Sequence, residues 1–199
     1  MVEDFEALRT VLGSNTKVQE LLFLEAGLKK VLRCGVYSDG VEVVRALYLK
    51  RGFVVVESPF KIVLLEEGYA EGGLRVQRDD DRFGMVFLYV SSDELSAHLA
   101  LYYELVRDHM RLGELLGYPE CCRSYFASNF SSDRTDLSLV SGYVPLLDIS
   151  LRSSDCSLLS HFPCSFDCAA SCSVALRYLE ILGRVWPLRV CVLREKLGF

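Results

Sequence analysis

Met85-Val86-Phe87-Leu88-Tyr89-Val90-Ser91-Ser92-Asp93-Glu94 is the stretch at which this chain changes period. Its first six residues form an apolar run of strand length, far short of a membrane span. Ser91-x-x-Glu94 then has the form of a capping box, which predicts a long helix to about Leu116 with Gly117 as its stop. Upstream, Phe53-Val54-Val55-Val56-Glu57 and Lys61-Ile62-Val63-Leu64-Leu65 are separated by Ser58-Pro59-Phe60 and predict an antiparallel hairpin. Leu74-Arg75-Val76-Gln77-Arg78 alternates as a half-exposed strand does, and Asp79-Asp80-Asp81 reads as a turn. A sheet of about four strands follows, with residues 83–90 at its centre.

Helical signals flank this sheet on both sides. Residues 3–12 predict a short helix. Thr16-x-x-Gln19 reads as a capping box opening a helix that ends at Gly35, with Val18, Leu21, Leu22, Glu25, Leu28, Lys29 and Leu32 as its mostly apolar stripe. A third helix spans residues 41–50, closed by Gly52. Beyond the long helix, residues 119–129 predict another. Residues 129–157 predict a long loop with a short helix near 144–149. Helices are then predicted over 163–182 and from Pro187 onward. Helices, then strands, then helices make an α+β fold. The layout predicts one domain of two lobes, a helix-plus-sheet lobe over 1–91 and a helical, cysteine-rich lobe over 92–199.

The 199 residues are 51% hydrophobic, with a mean hydropathy of +0.23. That points to a large core and leans toward self-association as a homo-oligomer. A net charge of -5 argues against generic nucleic-acid binding, which needs a basic surface. The acidic start Met1-Val2-Glu3-Asp4-Phe5-Glu6 lacks a signal peptide's basic region, and no apolar run reaches membrane length. A cytoplasmic protein that neither enters nor binds a membrane is expected. There thiols are normally reduced, although scarce Asn and Gln hint at a thermophilic source, where intracellular disulfides occur. Eight cysteines allow 105 full pairings, and the sequence does not choose among them.

Five of those cysteines lie in two similar stretches, Leu116-Gly117-Tyr118-Pro119-Glu120-Cys121-Cys122 and His161-Phe162-Pro163-Cys164-Ser165-Phe166-Asp167-Cys168, the latter followed by Cys172. Each runs aromatic, proline, cysteine. Proline suits a first helical position, so both stretches predict a helix start. A helix N-terminus favours thiolate over thiol. Cys121, Cys122 and Cys164 would then occupy first turns, with Cys168 and Cys172 one and two turns past Cys164 on one face. Four of Cys121, Cys122, Cys164, Cys168, Cys172 and His161 would satisfy zinc; thiolates from both helices would satisfy an iron–sulfur cluster. The same cysteines also make an apolar stripe, since cysteine packs readily in cores, and Cys34, Cys156 and Cys191 are assigned to packing outright.

These residues resemble a family, the largely archaeal one labelled domain of unknown function 483. The resemblance rests on Leu116-Gly117-Tyr118-Pro119-x-Cys121-Cys122-x3-Phe126 and His161-x-Pro163-Cys164-Ser165-x2-Cys168-x2-Ser171. It implies that Cys121, Cys122, His161, Pro163, Cys164, Ser165, Cys168 and Ser171 share one site, with Ser165 and Ser171 as cofactor-binding candidates. Cys172 falls outside that motif.

Three functions remain open on these grounds. The first is a metal- or cluster-binding protein with Cys121, Cys122, Cys164, Cys168 and His161 as ligand candidates. The second is a metal-free thiol enzyme of sulfur or acyl transfer, with Cys122 or Cys164 as nucleophile and His161 as base. The third is an interaction module whose cysteines are structural. A small molecule or a protein would be the partner in each case. His98 and His109, three turns apart on one predicted helix, read as surface or half-buried residues. Glu66, Glu67 and Glu71 predict an exposed turn, and Gly72-Gly73 lacks the form of a phosphate loop.

Overall fold

The computed structural model describes residues 4–64, 73–131, 134–138 and 144–199. Their order is α1 (Phe5–Leu12), α2 (Asn15–Glu25), β1 (Leu32–Tyr37), α3 (Val41–Lys50), β2 (Val54–Leu64), β3 (Gly73–Gln77) and β4 (Met85–Ser91), then α4 (Glu94–Leu105), α5 (His109–Leu115) and α6 (Glu120–Asn129). Two short 3₁₀ turns, Pro145–Leu147 and Ser150–Ser154, lead to α7 (Ala169–Val185) and α8 (Pro187–Leu197). The fold is α+β. Glu66, Glu67, Glu71 and Gly72 lie outside the described residues.

The four strands run antiparallel in the order β1-β4-β2-β3. β4 is the central apolar run, and its alternate residues serve two different cores. Val86, Leu88 and Val90 join the main core, whereas Tyr89 packs with Val31, Ala100, Leu112 and Leu116 under α4 and α5. Burial on both faces is why this strand reads as a continuous apolar run. The main core draws on residues from Leu8 to Leu197, on both sides of residue 91.

Several predicted boundaries are corrected. The helix expected over 16–35 ends at Glu25, and Leu32–Tyr37 is a strand. Leu28 and Leu32 fit a helical spacing, but Leu32, Cys34 and Val36 alternate inward with Arg33, Gly35 and Tyr37, and the period of two prevails. The cap of α2 is Ser14, not Thr16, and Gln19 is fully buried with its side-chain amide donating to the Ser157 carbonyl. The predicted hairpin is one eleven-residue strand, β2. Its register shifts between Glu57 and Lys61, so Ser58-Pro59-Phe60 is a bulge rather than a turn. There the buried Ser58 hydroxyl donates to the Phe60 carbonyl and accepts the Phe87 N–H, replacing lost ladder bonds.

The long helix expected from Ser91 is two helices. Asp93 caps α4 by accepting the Ser96 N–H, while Ser91 donates to the Lys30 carbonyl. Arg107, at φ 59, then breaks the path, and Asp108 caps α5. His98 and His109 therefore sit on different helices. On α8, Leu188, Cys191 and Val192 face outward while Arg189, Leu193 and Leu197 are buried, so Cys191 is exposed and not a packing residue. Cys34 and Cys156 are buried. No helix of the described residues is long and apolar enough to cross a membrane.

Candidate metal centre

The first proline-led turn begins where α5 ends. Gly117, at φ 77, turns the chain while its N–H and that of Tyr118 close onto the carbonyls of Glu114 and Gly113. An added Cβ at Gly117 would meet the Leu28 carbonyl oxygen at 3.1 Å, which is why this position takes glycine. Pro119 stands at the N-cap, one place before its expected position, and leaves Cys121 and Cys122 in the first turn of α6. Cys121 is exposed and Cys122 is buried.

The second turn departs further from expectation. Pro163 opens no helix; α7 starts at Ala169. Cys168 is its N-cap, a role filled by sulfur here, with Sγ accepting the Ser171 N–H at 3.5 Å. Cys164 lies in the preceding turn, which the Cys168 N–H closes onto the Ser165 carbonyl. Cys164, Cys168 and Cys172 thus do not share one helical face. The Ser165 hydroxyl is engaged by the Asp167 carboxylate at 3.1 Å.

Aromatic contacts dock one turn against the other. Tyr118 lies 5.0 Å from the His161 ring, and Phe126 lies 6.1 Å from Phe162. The Tyr118 hydroxyl also donates to the Ser160 carbonyl at 3.3 Å. The sulfurs converge as a result. Cys168 Sγ stands 3.6 Å from Cys121, 3.7 Å from Cys122 and 3.6 Å from Cys164, and the Cys121 and Cys122 sulfurs are 3.9 Å apart. All four lie within 4.8 Å of one another, a set that could hold a metal ion. Cys172 is not in this set.

His161 stands behind the cluster rather than in it. Its Nε2 is 2.9 Å from the Ser171 hydroxyl, which is itself 3.2 Å from Cys122 Sγ. Burial, reinforced by nearby Lys29, brings the His161 pKa down to about 3, so the ring is neutral at pH 7. Burial pushes the Cys122 thiol well up and Cys164 up to about 11. Burial acts the same way on Cys168, but hydrogen bonds from Ser171 and the neighbouring thiols outweigh it and bring that group down to about 6.

A buried ion pair supports this arrangement and escaped sequence reasoning. Lys29 Nζ lies 2.5 Å from Glu20 and 2.9 Å from the Ser160 hydroxyl, beside the Tyr118 and Tyr178 rings. Its one sequence signal is a lysine within a mostly apolar stripe. His109 meets Phe126 and Phe130 edge-on, and His98 is exposed; neither belongs to the thiol cluster. Asp80 pairs with Arg82 in the exposed turn before β4.

Comparison with known proteins agrees with the motif resemblance. No curated protein matches the chain, and no solved structure does. A family model, described as Protein of unknown function (DUF483), matches residues 92–184. That segment carries all four clustered sulfurs together with His161 and Ser171, and it belongs to the DUF483 family.

Proposed function

We propose that this protein binds one zinc ion through Cys121, Cys122, Cys164 and Cys168. The carrying observation is the spacing of the sulfurs. Zinc–sulfur bonds of about 2.3 Å in a tetrahedron imply sulfur–sulfur edges of about 3.8 Å. Four of the six separations, at 3.6, 3.6, 3.7 and 3.9 Å, bracket that value, and the other two lie within 4.8 Å. A four-iron cluster would interpose a cube of iron and sulfide between the thiolates and needs them spread well beyond such contact. The soft donor set suits zinc, and four protein ligands make a closed, structural type of site.

Bound thiolates accept hydrogen bonds and donate none. Ser171 would then donate its hydroxyl proton to Cys122 Sγ and accept from His161 Nε2–H, which fixes the imidazole tautomer. His161 and Ser171 are outer supports in this arrangement, and His161 is not a ligand. The metal-free enzyme alternative is less well supported, because His161 faces Ser171 rather than a thiol; of its nucleophile candidates Cys122 is buried and Cys164 is half-buried. By clamping the start of α6 to the start of α7, the ion would close the loop between residues 122 and 168. A centre of reduced thiols fits a cytoplasmic location.

The test is purification of the full chain without oxygen, followed by metal and sulfide analysis and a visible spectrum. One zinc per chain, no visible absorbance, and three thiols, those of Cys122, Cys164 and Cys168, that become reactive to a thiol dye only after chelation are expected. Iron with stoichiometric sulfide, or a chain that neither carries nor takes up zinc or cobalt, would overturn the proposal.

A further inference from the structure

The four sulfurs differ in their surroundings, and the difference bears on reactivity. Cys122 is 2% exposed and has the Ser171 hydroxyl at 3.2 Å. Cys168 is 6% exposed and accepts the Ser171 N–H. Cys164 is half-buried in its turn. Cys121 alone of the four is exposed, and its sulfur contacts among the described residues are to other sulfurs; no N–H or O–H reaches it.

The thiolate, not the thiol, is the nucleophile, and a coordinated thiol is deprotonated outright at neutral pH. Four thiolates on one divalent ion leave two negative charges on the centre, concentrated on sulfur. A hydrogen bond to a thiolate ties up a lone pair and lowers its nucleophilicity, in the same sense that nucleophilicity falls as sulfur basicity falls. Cys122 and Cys168 are both buried and hydrogen-bonded in this way. Cys121 is neither.

We propose that Cys121 is a metal-activated nucleophile that accepts alkyl groups from small electrophiles bearing a good leaving group. The inference rests on the zinc reading above. In the step, a lone pair of Cys121 Sγ attacks the alkyl carbon and a sulfur–carbon bond forms. The bond from carbon to the leaving group breaks at the same time, and that group departs with its electron pair. No electron is gained or lost overall, and the centre's net charge changes from two negative to one negative as a thiolate becomes a neutral thioether. A thioether is the weaker ligand, so alkylation would loosen the Cys121 corner of the site and leave three thiolates holding the ion.

The chain supplies its own comparison in Cys191, an exposed thiol on α8 outside the cluster. An ordinary exposed thiol is only a few per cent thiolate at pH 7, so the metal-bound sulfur should react faster by about tenfold. The experiment treats the zinc-loaded full chain with substoichiometric iodoacetamide at pH 7. Modified cysteines are mapped by peptide mass spectrometry, and zinc is measured before and after. Cys121 should carry the first label, about tenfold ahead of Cys191, with zinc still bound. Chelation beforehand should abolish that lead. Zinc-loaded protein labelled first at Cys164 or Cys122, or at Cys121 no faster than at Cys191, would overturn this inference and leave the zinc reading standing. A chain that holds no zinc at the outset would remove both.

Discussion

Replacing Lys29 with methionine should be among the most damaging single changes in this protein. The Lys29 side chain is 1% exposed and that of Glu20 is 11% exposed, with 2.5 Å between charged atoms. Burial disfavours the ammonium, yet Glu20 and the Tyr118 and Tyr178 rings overcome it and raise the Lys29 pKa. Methionine keeps the stem and its packing but removes the charge. Glu20 is then left without its partner inside the fold, and the Ser160 hydroxyl loses a charged donor. Breaking a buried pair from one side costs about 3–5 kcal/mol, because the surviving charge is uncompensated. Replacing both members with apolar residues avoids that penalty, so Lys29→Met with Glu20→Leu should recover most of the loss.

Equilibrium unfolding in urea, at fixed free zinc so that metal linkage is constant, measures all three proteins on one scale. The single variant should lose about 3 kcal/mol or more and the double variant less than about half of that. A single variant within about 1 kcal/mol of the parent would refute the reasoning, since it would mean that Glu20 finds water or another cation. A double variant as weak as the single would locate the loss in the Ser160 contact and not in the unpaired carboxylate.

Three further outcomes follow from the geometry. Gly117→Ala should lower stability by about 1–2 kcal/mol, read as a drop in melting temperature, because φ 77 is strained for alanine and the Leu28 carbonyl crowds its methyl. Cys168→Ser should abolish stoichiometric zinc in metal analysis while Cys172→Ser keeps it, since only the former belongs to the thiol set. Asp155 accepts the Ser14 hydroxyl and the Asn15 and Thr16 N–H groups at the start of α2. Burial opposes its ionisation, but these bonds outweigh burial and lower its pKa. A depressed carboxyl contributes stability that is present above its unfolded pKa of about 3.9 and is lost as pH falls through the folded value. Asp155→Asn should therefore cost about 1 kcal/mol at pH 7, screening by solvent considered, and should flatten the acid limb of stability against pH.

What the sequence disclosed, and what it hid, divides along physical lines. The convergence of the two aromatic–proline–cysteine stretches was legible because proline and clustered cysteines constrain backbone and chemistry together. β4 was legible because a strand buried on both faces has no polar interruptions. β1 was not, since Leu28 and Leu32 satisfy a helical spacing as well as Leu32, Cys34 and Val36 satisfy an alternating one. β2 was split at Ser58-Pro59-Phe60 because a proline at a bulge and a proline in a turn look alike until the Ser58 hydroxyl is seen filling the ladder. The break at Arg107 carries no glycine or proline to announce it. Pro163 misled for a related reason: proline fits a helix start, yet here it leads a turn, and Cys168 supplies the cap.

The position of Lys29 bears on how the centre is built. Glu20 and Lys29 lie on α2 and just before β1, well outside the family-matched segment 92–184. Through Ser160, Lys29 fixes the residue next to His161, whose ring reaches Ser171 and so Cys122. Sulfurs packed at 3.6–3.9 Å repel once ionised, so the turns that carry them need restraint from elsewhere in the fold. The aromatic contacts of Tyr118 with His161 and Phe126 with Phe162 supply part of it within the matched segment. From the N-terminal half, the buried ion pair adds the Lys29 contact to Ser160. A fragment limited to residues 92–184 would keep all four clustered sulfurs and lose that restraint, along with β1, β4 and most of the core against which α7 packs. The clustered sulfurs are local to one segment, while the packing that gathers them draws on the whole chain.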